Sequence, residues 1–479
     1  MAARDAENDA LDEARDAGGA EEADRDLAVL VPTAVVALID RLVGAGHAAY
    51  VVGGSLRDAL LGREAADWDL ATDARPEEIV ALFPGSVYEN RFGTVAVRLE
   101  DDVYEVTTFR TEHDYADLRR PHRVEFGEEI EADLARRDFT VNAMAWGRAP
   151  GDEANELVDP HGGRDDLGAR TLHAVGEPDV RFQEDALRMV RAVRLAATLG
   201  FDIEPATLAA ITASASLAGH LSGERIGAEL GKLLAAPRPS VGLALAQRTG
   251  LLAIISPELA AQRGIPQNKV PGEDLWDHTL RTVDATPAER PVVRLAALVH
   301  DIGKPSTLAD GHFPHHEVVG AEIADALLRR LHLPREVAEE VVRLVRHHMF
   351  AADPDATDAA VRRFVKRIGP DLLDAQFALR RADDLGSGMD PDDPGVRSFA
   401  ERAQRELRAA HPLDRGDLAV DGNDLMAELG LTPGPGLGRL IDELLERVIV
   451  DPSLNERGSL LRLAQGILSG VDRGAVGPS

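Results

Sequence analysis

The 479-residue chain has no cysteine, which excludes disulfide bonds and thiolate metal sites. Aromatic residues are scarce at 4%, although the hydrophobic content of 44% is ordinary for a globular protein. No apolar run is long enough to span a membrane, since Gln247 and Arg248 interrupt the nearest candidate, Val241 to Ile255. The first residues lack the basic and apolar pattern of a secretion signal. We therefore expect a soluble, cytoplasmic protein with no membrane partner.

Basic residues are outnumbered, 53 against 83 acidic ones, and the net charge is −30. This balance argues only weakly against a nucleic-acid partner, because local charge decides binding. Residues 1–26 are rich in acids and predict a disordered, solvated tail. The basic residues cluster later in the chain: Arg119, Arg120, His122 and Arg123; Arg136 and Arg137; Arg181, Arg188, Arg191 and Arg194. An acidic body with a basic cleft is compatible with RNA binding.

The length exceeds what one hydrophobic core supports and predicts several domains. Residues 27–165 mix strand and helix patterns, with a strand at Ala48–Val52 and a hairpin of Thr94–Leu99 and Val103–Phe109. From Arg181 onward the patterns are helical almost throughout. The sequence thus predicts an α+β fold, with a small mixed sheet followed by a mostly α-helical remainder.

Two glycines and two aspartates form the most informative segment. The predicted strand ends in Gly53-Gly54, where backbone N–H groups can approach an anion closely beside a helix start. Asp67 and Asp69 follow two apart, so on a strand their side chains point to one face. Two hard carboxylates beside a phosphate cradle are what a pair of Mg²⁺ ions requires. The segment predicts a metal-dependent nucleotidyl-transfer centre, whereas an acidic pair alone is more often a solvated loop.

A second motif begins with Arg136 and Arg137, whose paired guanidiniums fit phosphate oxygens. Asp138 and Asn142 are four apart, so on a helix they would share a face and could contact a ribose or hold the arginines. The alternative is a capped amphipathic helix with surface arginines.

A polar row along one helix is predicted by four residues spaced three apart: Asp185, Arg188, Arg191 and Arg194. A carboxylate accepts from an amine and a guanidinium donates to a ring nitrogen, which matches the edges of cytosine and adenine. Uracil and guanine present a carbonyl beside a ring N–H and would be rejected. The alternative is a salt-bridged, solvent-facing helix.

A second centre is indicated by His300 and Asp301, which end the apolar helical run Val292–Val299. Adjacent His and Asp side chains can converge on a metal if another His and Asp come from other helices, and His278 and Asp383 are the candidates. Two histidine pairs would widen the site to two metals: His315-His316 and His347-His348. Imidazole and carboxylate suit several divalent metals.

Taken together, these residues resemble the bacterial class II CCA-adding enzymes, which are tRNA nucleotidyltransferases, and the related bacterial poly(A) polymerases. The resemblance covers residues 27 to about 468 and includes four segments in the family's order: Gly53–Asp69, Arg136–Ala145, Asp159–Gly163 and Glu184–Arg194. It implies template-independent addition of CCA to the 3′ end of tRNA, with tRNA, CTP and ATP as partners. The residues from His300 to Pro305 are similar to the HD phosphohydrolase superfamily.

The resemblance also implies roles for single residues. Asp67 and Asp69 would hold catalytic Mg²⁺, and Asp185 and Arg188 would be the template for the incoming base. The implied nucleotide-binding residues are Gly53, Gly54, Ser55, Arg57, Arg137, Asp138, Asn142, Asp185, Arg188, Arg191 and Arg194. The implied ligands of a second divalent metal in the HD domain are His278, His300, Asp301 and Asp383.

The family's architecture implies six segments. They are an acidic tail at 1–26, a nucleotidyltransferase head at 27–165, a helical neck at 166–236, an HD domain at 237–390, a helical RNA-binding body at 391–468 and a frayed tail at 469–479. Thr111–Arg123 would be the flexible loop, Asp159–Leu167 a hinge, and Glu224–Glu229 a support for the neck.

Several alternatives stay open from the sequence. The same motifs fit a poly(A) polymerase or an enzyme that adds only CC or A. A different class is a metal phosphohydrolase acting through His300 and Asp301 on RNA ends or nucleotides, and a third is a non-catalytic RNA-binding factor. The pair Asp67 and Asp69 argues against both, because a binding module has no use for two costly, converging carboxylates. Glu105 is either a third catalytic acid or an exposed residue of an ordinary strand.

Overall fold

The computed structural model describes residues 27–65, 67–88, 93–99, 102–115, 121–127, 129–267 and 269–470. Three predicted regions lie wholly or partly outside the described residues: the tail at 1–26, positions 116–120 of the flexible loop and positions 471–479 of the C-terminal tail. The chain forms two compact units, one up to Ala260 and one from Ala261. The six segment limits stay predictions.

Strands are concentrated in the first unit. They are β1 Ala49–Val52, β2 Asp69–Thr72, β3 Val87–Tyr88, β4 Thr94–Leu99, β5 Asp102–Thr108, β6 Arg110–Tyr115, β7 Pro121–Phe126, β8 Ala145–Arg148, β9 Glu156–Val158, β10 Thr171–Leu172 and β11 Asp202–Ile203. Seven of them form one sheet in the order β3-β4-β5-β2-β1-β8-β9. β2 lies parallel to β5, whereas β1 is antiparallel to β2 and β8. The predicted small mixed sheet is confirmed.

Apolar side chains at alternate positions set the register of this sheet. Leu70 of β2 lies beside Val106 of β5, and both side chains are fully buried. Leu99 pairs with Asp102, which confirms the predicted hairpin of β4 and β5. Because the pleat has a period of two, these buried positions also fix which neighbouring side chains face the opposite side.

The helices of the first unit surround and follow the sheet. They are α1 Leu27–Leu30, α2 Thr33–Gly44, α3 Gly54–Leu60, α4 Pro76–Leu82, α5 Ile130–Ala135, α6 Gly163–Gly168, α7 Pro178–Glu184, α8 Leu187–Leu199, α9 Pro205–Ser214, α10 Gly223–Leu234, α11 Pro239–Arg248, α12 Leu251–Ile255 and α13 Pro257–Ala260. Ten of the thirteen residues of α8 are buried, so this helix is a central element of the unit.

The described part of the second unit is helical. Its helices are α14 Leu275–Asp284, α15 Pro291–Val299, α16 Lys304–Thr307, α17 His316–Arg330, α18 Arg335–His347, α19 Asp358–Ile368, α20 Leu373–Gly386, α21 Pro394–Arg408, α22 Gly422–Leu429, α23 Pro435–Val450 and α24 Arg457–Ser469. The apolar sequence of α15 is buried from Val293 to Val299. Among the described residues, no helix has both the length and the apolar character needed to cross a bilayer.

Candidate active site

A cavity of about 770 Å³ opens in the first unit at the end of β1. Gly53 forms its floor with φ of +81°, a backbone conformation that favours glycine. A Cβ atom at this position would lie 3.1 Å from Arg137 Nη1, so glycine also permits close packing. Arg57 lines the cavity and donates to Asn142 Oδ1 at 2.6 Å. Of the predicted nucleotide-facing residues, Ser55 is the one outside the wall; it is buried on α3.

Three carboxylates meet on one side of this cavity. Asp69 begins β2 and Glu105 belongs to the adjacent β5, whereas Asp67 lies just before the strand rather than on it. Burial raises the pKa of Asp69 to about 6, and the charges of Glu105 and Asp67 add to this against the opposing charge of Arg137. Glu105 is therefore close enough for its charge to raise the pKa of Asp69, as its interpretation as a third catalytic acid requires.

These acids fit a site for hard divalent cations. Carboxylate oxygens are the ligands that Mg²⁺ prefers, and mutual repulsion among like charges is relieved when a cation lies between them. Burial is the largest cause of the raised pKa of Asp69, and the charges of Glu105 and Asp67 add to it. Gly53 and Arg137 lie on the neighbouring wall, where they can face an anion beside the cations.

The segment after α5 is not the helix considered from the sequence. α5 ends at Ala135, and Thr140–Asn142 forms a single 3₁₀ turn. Asp138 still meets Asn142, whose Nδ2 donates to Asp138 Oδ1 at 3.1 Å, and Arg191 Nε donates to Asp138 Oδ2 at 2.7 Å. Burial by itself would raise the pKa of Asp138, but Arg191 and these hydrogen bonds lower it to about 2. Contacts distant in sequence thus override the local helical spacing.

All members of the predicted polar row line the cavity, but the helix contains only its arginines. Arg188, Arg191 and Arg194 lie on α8, whereas Asp185 has an extended backbone before that helix. Asp185 Oδ1 accepts from the backbone N–H of Leu187, the first residue of α8, at 3.0 Å. Its other oxygen accepts from Arg225 Nη2 at 2.6 Å.

Arg188 is held by protein groups on two sides. Its Nη1 donates to Glu184 Oε2 at 2.7 Å, and its Nη2 donates to the carbonyl of Arg136 at 2.8 Å. Arg194 Nε donates to Glu229 Oε2 of α10 at 2.5 Å. The arginines of α8 are therefore fixed in place along the cavity wall, and Glu229 has the supporting contact expected for its segment.

Asp133 was missed from the sequence. It lies on α5 with a side chain 1% exposed, and it accepts from Arg136 Nη2 at 2.6 Å and Arg137 Nη2 at 3.3 Å. An acid in a short amphipathic helix gives no signal that separates it from a surface acid. Its spacing of three and four residues from the two arginines is the available clue.

A second cluster lies in the second unit. His278 of α14 approaches Asp301 and Asp383 with Nε2–O distances of 3.4 and 3.3 Å, and His300 Nε2 is 3.1 Å from Asp301 Oδ2. All but Asp383 are almost fully buried. Burial alone would raise the pKa of Asp301, but His300 and Lys304 hold it well below its usual range. The four predicted ligands converge, as a metal site would need.

Asp301 is shared with a further pair of histidines. Its Oδ1 lies 3.3 Å from His316 Nε2 and 3.5 Å from His348 Nε2. Each predicted histidine pair therefore supplies one member: His315 is exposed just before α17, with φ of +56°, and His347 lies outside the cluster. The two triads that share Asp301 have ligand atoms close enough for one metal each.

Backbone contacts orient three of these rings. The Nδ1 atoms of His300, His316 and His348 lie 2.8, 2.8 and 2.7 Å from the carbonyl oxygen three residues earlier. A proton on Nδ1 leaves the Nε2 lone pair free, which is the arrangement found in histidines that bind metals.

Comparisons with known proteins agree with this architecture. Family models match in chain order: the poly A polymerase head domain at residues 49–173, a probable RNA- and SrmB-binding site of polymerase A at 200–263 and the HD domain at 266–386. The chain is 33% identical over 421 residues to the CCA-adding enzyme of Geobacillus stearothermophilus, and the match covers 88% of this chain and 93% of that enzyme. It is 34% identical over 436 residues to the CCA-adding enzyme of Streptococcus thermophilus, with 90% and 96% covered.

A similar fold is found in a solved structure of a CCA-adding enzyme. The crystal structure of the Bacillus stearothermophilus CCA-adding enzyme in complex with CTP superposes with a TM-score of 0.68 at 29% identity, covering 92% of this chain and 98% of that one. The fold and the head-domain match define the class, a nucleotidyltransferase with an HD domain. The chain belongs to the family of CCA-adding enzymes.

Proposed function

We propose that this protein adds CCA to the 3′ end of tRNA, using CTP and ATP and releasing pyrophosphate. The observation that carries the proposal is the convergence of three acids, a glycine turn and the α8 arginines on one cavity. A binding module has no use for a carboxylate that is costly to ionise, and burial together with the charges of Glu105 and Asp67 raises the pKa of Asp69. Because tRNA is its substrate, we place the enzyme in the cytoplasm.

Mg²⁺ is the cation we propose for the acids, with Asp67, Asp69 and Glu105 as its ligands. When bound, it lowers the pKa of the attacking hydroxyl and neutralises charge on the triphosphate. Arg137 and the backbone at Gly53 hold the triphosphate, so that the tRNA 3′ oxygen is in line with the α-phosphorus. The bond from that oxygen to phosphorus forms while the bond to pyrophosphate breaks, and the hydroxyl proton is released to solvent.

Base choice is assigned to Asp185 and Arg188. A carboxylate and a guanidinium fit the amine and ring acceptor shared by cytosine and adenine. Arg225 and Glu184 hold these two side chains, which keeps their positions fixed before the base arrives. A relative crystallised with CTP supports a pyrimidine triphosphate as one ligand.

The test is to offer tRNA that lacks its 3′ CCA together with CTP and ATP, and to sequence the product. Three added nucleotides, C, C and A, are expected. A long tail of A would instead indicate a poly(A) polymerase, and addition that stops at CC, or that needs CC already present, would indicate a partial enzyme.

We infer a second function for the HD centre, a metal-dependent phosphohydrolase. His278, His300, Asp301 and Asp383 would hold one divalent metal, and His316 and His348 a second through shared Asp301. The bridging position of Asp301 between two triads supports this. Elemental analysis of purified protein and hydrolysis of nucleotide phosphates by wild type and Asp301→Ala test it. Metal content that is the same in both proteins would contradict it.

A further inference from the structure

Asp133 connects three parts of the nucleotide cavity wall. From its position on α5, Asp133 accepts hydrogen bonds from Arg136 and Arg137. Its Oδ1 also accepts from the backbone N–H of Arg110 at 3.4 Å. Arg110 begins β6, one strand of the β6–β7 hairpin. One buried carboxylate thus joins the base of this hairpin to Arg136 and Arg137.

Both arginines that Asp133 holds line the nucleotide cavity. Arg137 is also held through its Nη1, which donates to the carbonyl of Asn142 at 3.4 Å. The carbonyl of Arg136 accepts from Arg188 Nη2 at 2.8 Å, which joins this segment to α8. Asp133 therefore helps to fix two cationic side chains in the wall of the cavity.

We propose that Asp133 is a positioning residue for triphosphate binding. It fixes the guanidiniums of Arg136 and Arg137 in the cavity wall, so that their positive charges are in place for the triphosphate before the nucleotide arrives. A side chain fixed in this way loses little rotamer freedom on binding. The inference rests on the proposed nucleotidyl transfer, because it takes the triphosphate as the ligand.

The experiment uses the full chain and the variant Asp133→Asn, which keeps the shape and removes the charge. We measure binding of inorganic tripolyphosphate, CTP and ATP by titration calorimetry without tRNA. Removing a partner that orients a binding side chain typically costs about 10- to 100-fold in affinity or activity. We expect a loss of about that size, equal for CTP and ATP, with tRNA affinity and the ratio of C to A incorporation unchanged.

The matched control is Asp40→Asn. Asp40 also pairs with an arginine of the first unit, Arg148 at 2.7 Å, but it is outside the cavity wall. The control should bind tripolyphosphate like wild type. If Asp133→Asn fails to fold, Asp133→Glu keeps the charge on a longer side chain and should show the same loss through displaced arginines.

Folded Asp133 variants with wild-type affinity for tripolyphosphate would overturn the inference, as would an equal loss in Asp40→Asn. These outcomes differ from failure of the proposed function. In that case wild type would bind tripolyphosphate and triphosphates but would not extend tRNA, and the role of Asp133 in anion binding would still be read from the calorimetry.

Discussion

The carboxylate of Asp69 is well placed to bind a cation, but its ionised form is unfavourable in the metal-free protein. It is largely removed from water and faces two other acids, so its ionised form is costly until a cation arrives. Because its pKa is raised above the ordinary 3.8 to about 6, its contribution to folding is complete below pH 3.8 and is lost as the pH rises through about 6.

We therefore predict that Asp69→Asn abolishes nucleotide addition and yet stabilises the metal-free protein at pH 7.5. A shift of this size corresponds to about 1–3 kcal/mol. Thermal unfolding in EDTA at pH 7.5 and pH 4 measures it, and the gain should be small at the lower pH. A variant that is less stable than wild type at both pH values would contradict the repulsion argument.

Glu105 gives a prediction that separates the two interpretations left open by the sequence. If it is a ligand, Glu105→Gln should lower kcat by about 100-fold or more, comparable to losing a major charge-stabilising group. Glu78→Gln, on the exposed first turn of α4, is the control and should be neutral. If Glu105→Gln turns over as fast as wild type, Glu105 is an ordinary residue of β5 and not a metal ligand.

Arg188 tests the assignment of base choice. We expect Arg188→Ala to lose selectivity for C and A more than it loses affinity for triphosphate, because the donor to the base is removed and Arg137 remains. Incorporation assays with each of the four nucleotides measure this. Unchanged selectivity with weakened binding of every nucleotide would place Arg188 among the phosphate ligands instead.

At the scale of elements, α8 is anchored at both ends. At its start, Asp185 accepts a hydrogen bond from the backbone N–H of Leu187. At its end, Arg63 donates to the carbonyls of Leu199 and Thr198, with N–O distances of 3.0 and 3.3 Å. Arg63 belongs to the loop that leads from α3 to β2, so one loop supplies both a helix cap and the approach to Asp67.

We predict that Arg63→Ala destabilises the protein modestly, by about 0.3–1 kcal/mol, because a partly exposed cation at a helix C-terminus contributes that much. Arg63→Lys, which keeps the charge, should retain most of the stability. Urea denaturation measures both variants. Equal loss in the two would mean that the guanidinium geometry, rather than charge at the helix end, matters.

Elements defined by local patterns were predictable from the sequence, and those defined by distant contacts were not. Alternating apolar residues gave the β4–β5 hairpin within one residue at each end. Asp138 and Asp185 were placed on helices because their spacing is helical, but each is bound by an arginine far along the chain, Arg191 and Arg225. Asp133 was not predicted, because a single sequence does not show which acidic side chains are buried.

The same limit applied to the histidine pairs. Neither pair lies wholly within a helix: His315 precedes α17 in a left-handed conformation, and His348 follows the last residue of α18. The sequence supplies both members of each pair, and packing places His316 and His348 beside Asp301.

For the whole molecule, the two compact units carry separate chemistries. The acids and arginines of the cavity lie in the first unit, and the histidine centre lies in the second. We predict that Asp301→Ala removes bound metal and phosphohydrolase activity, with nucleotide addition retained within about twofold. Loss of both activities in a folded variant would show that the second centre is required for the first.

A crystal structure with CTP and Mg²⁺ would decide whether Asp67, Asp69 and Glu105 hold cations against a triphosphate bound at Gly53. We expect Mg²⁺ at about 2.0–2.1 Å from oxygens of these acids and of the phosphates. Acids that face bulk solvent, with the triphosphate bound elsewhere, would contradict it.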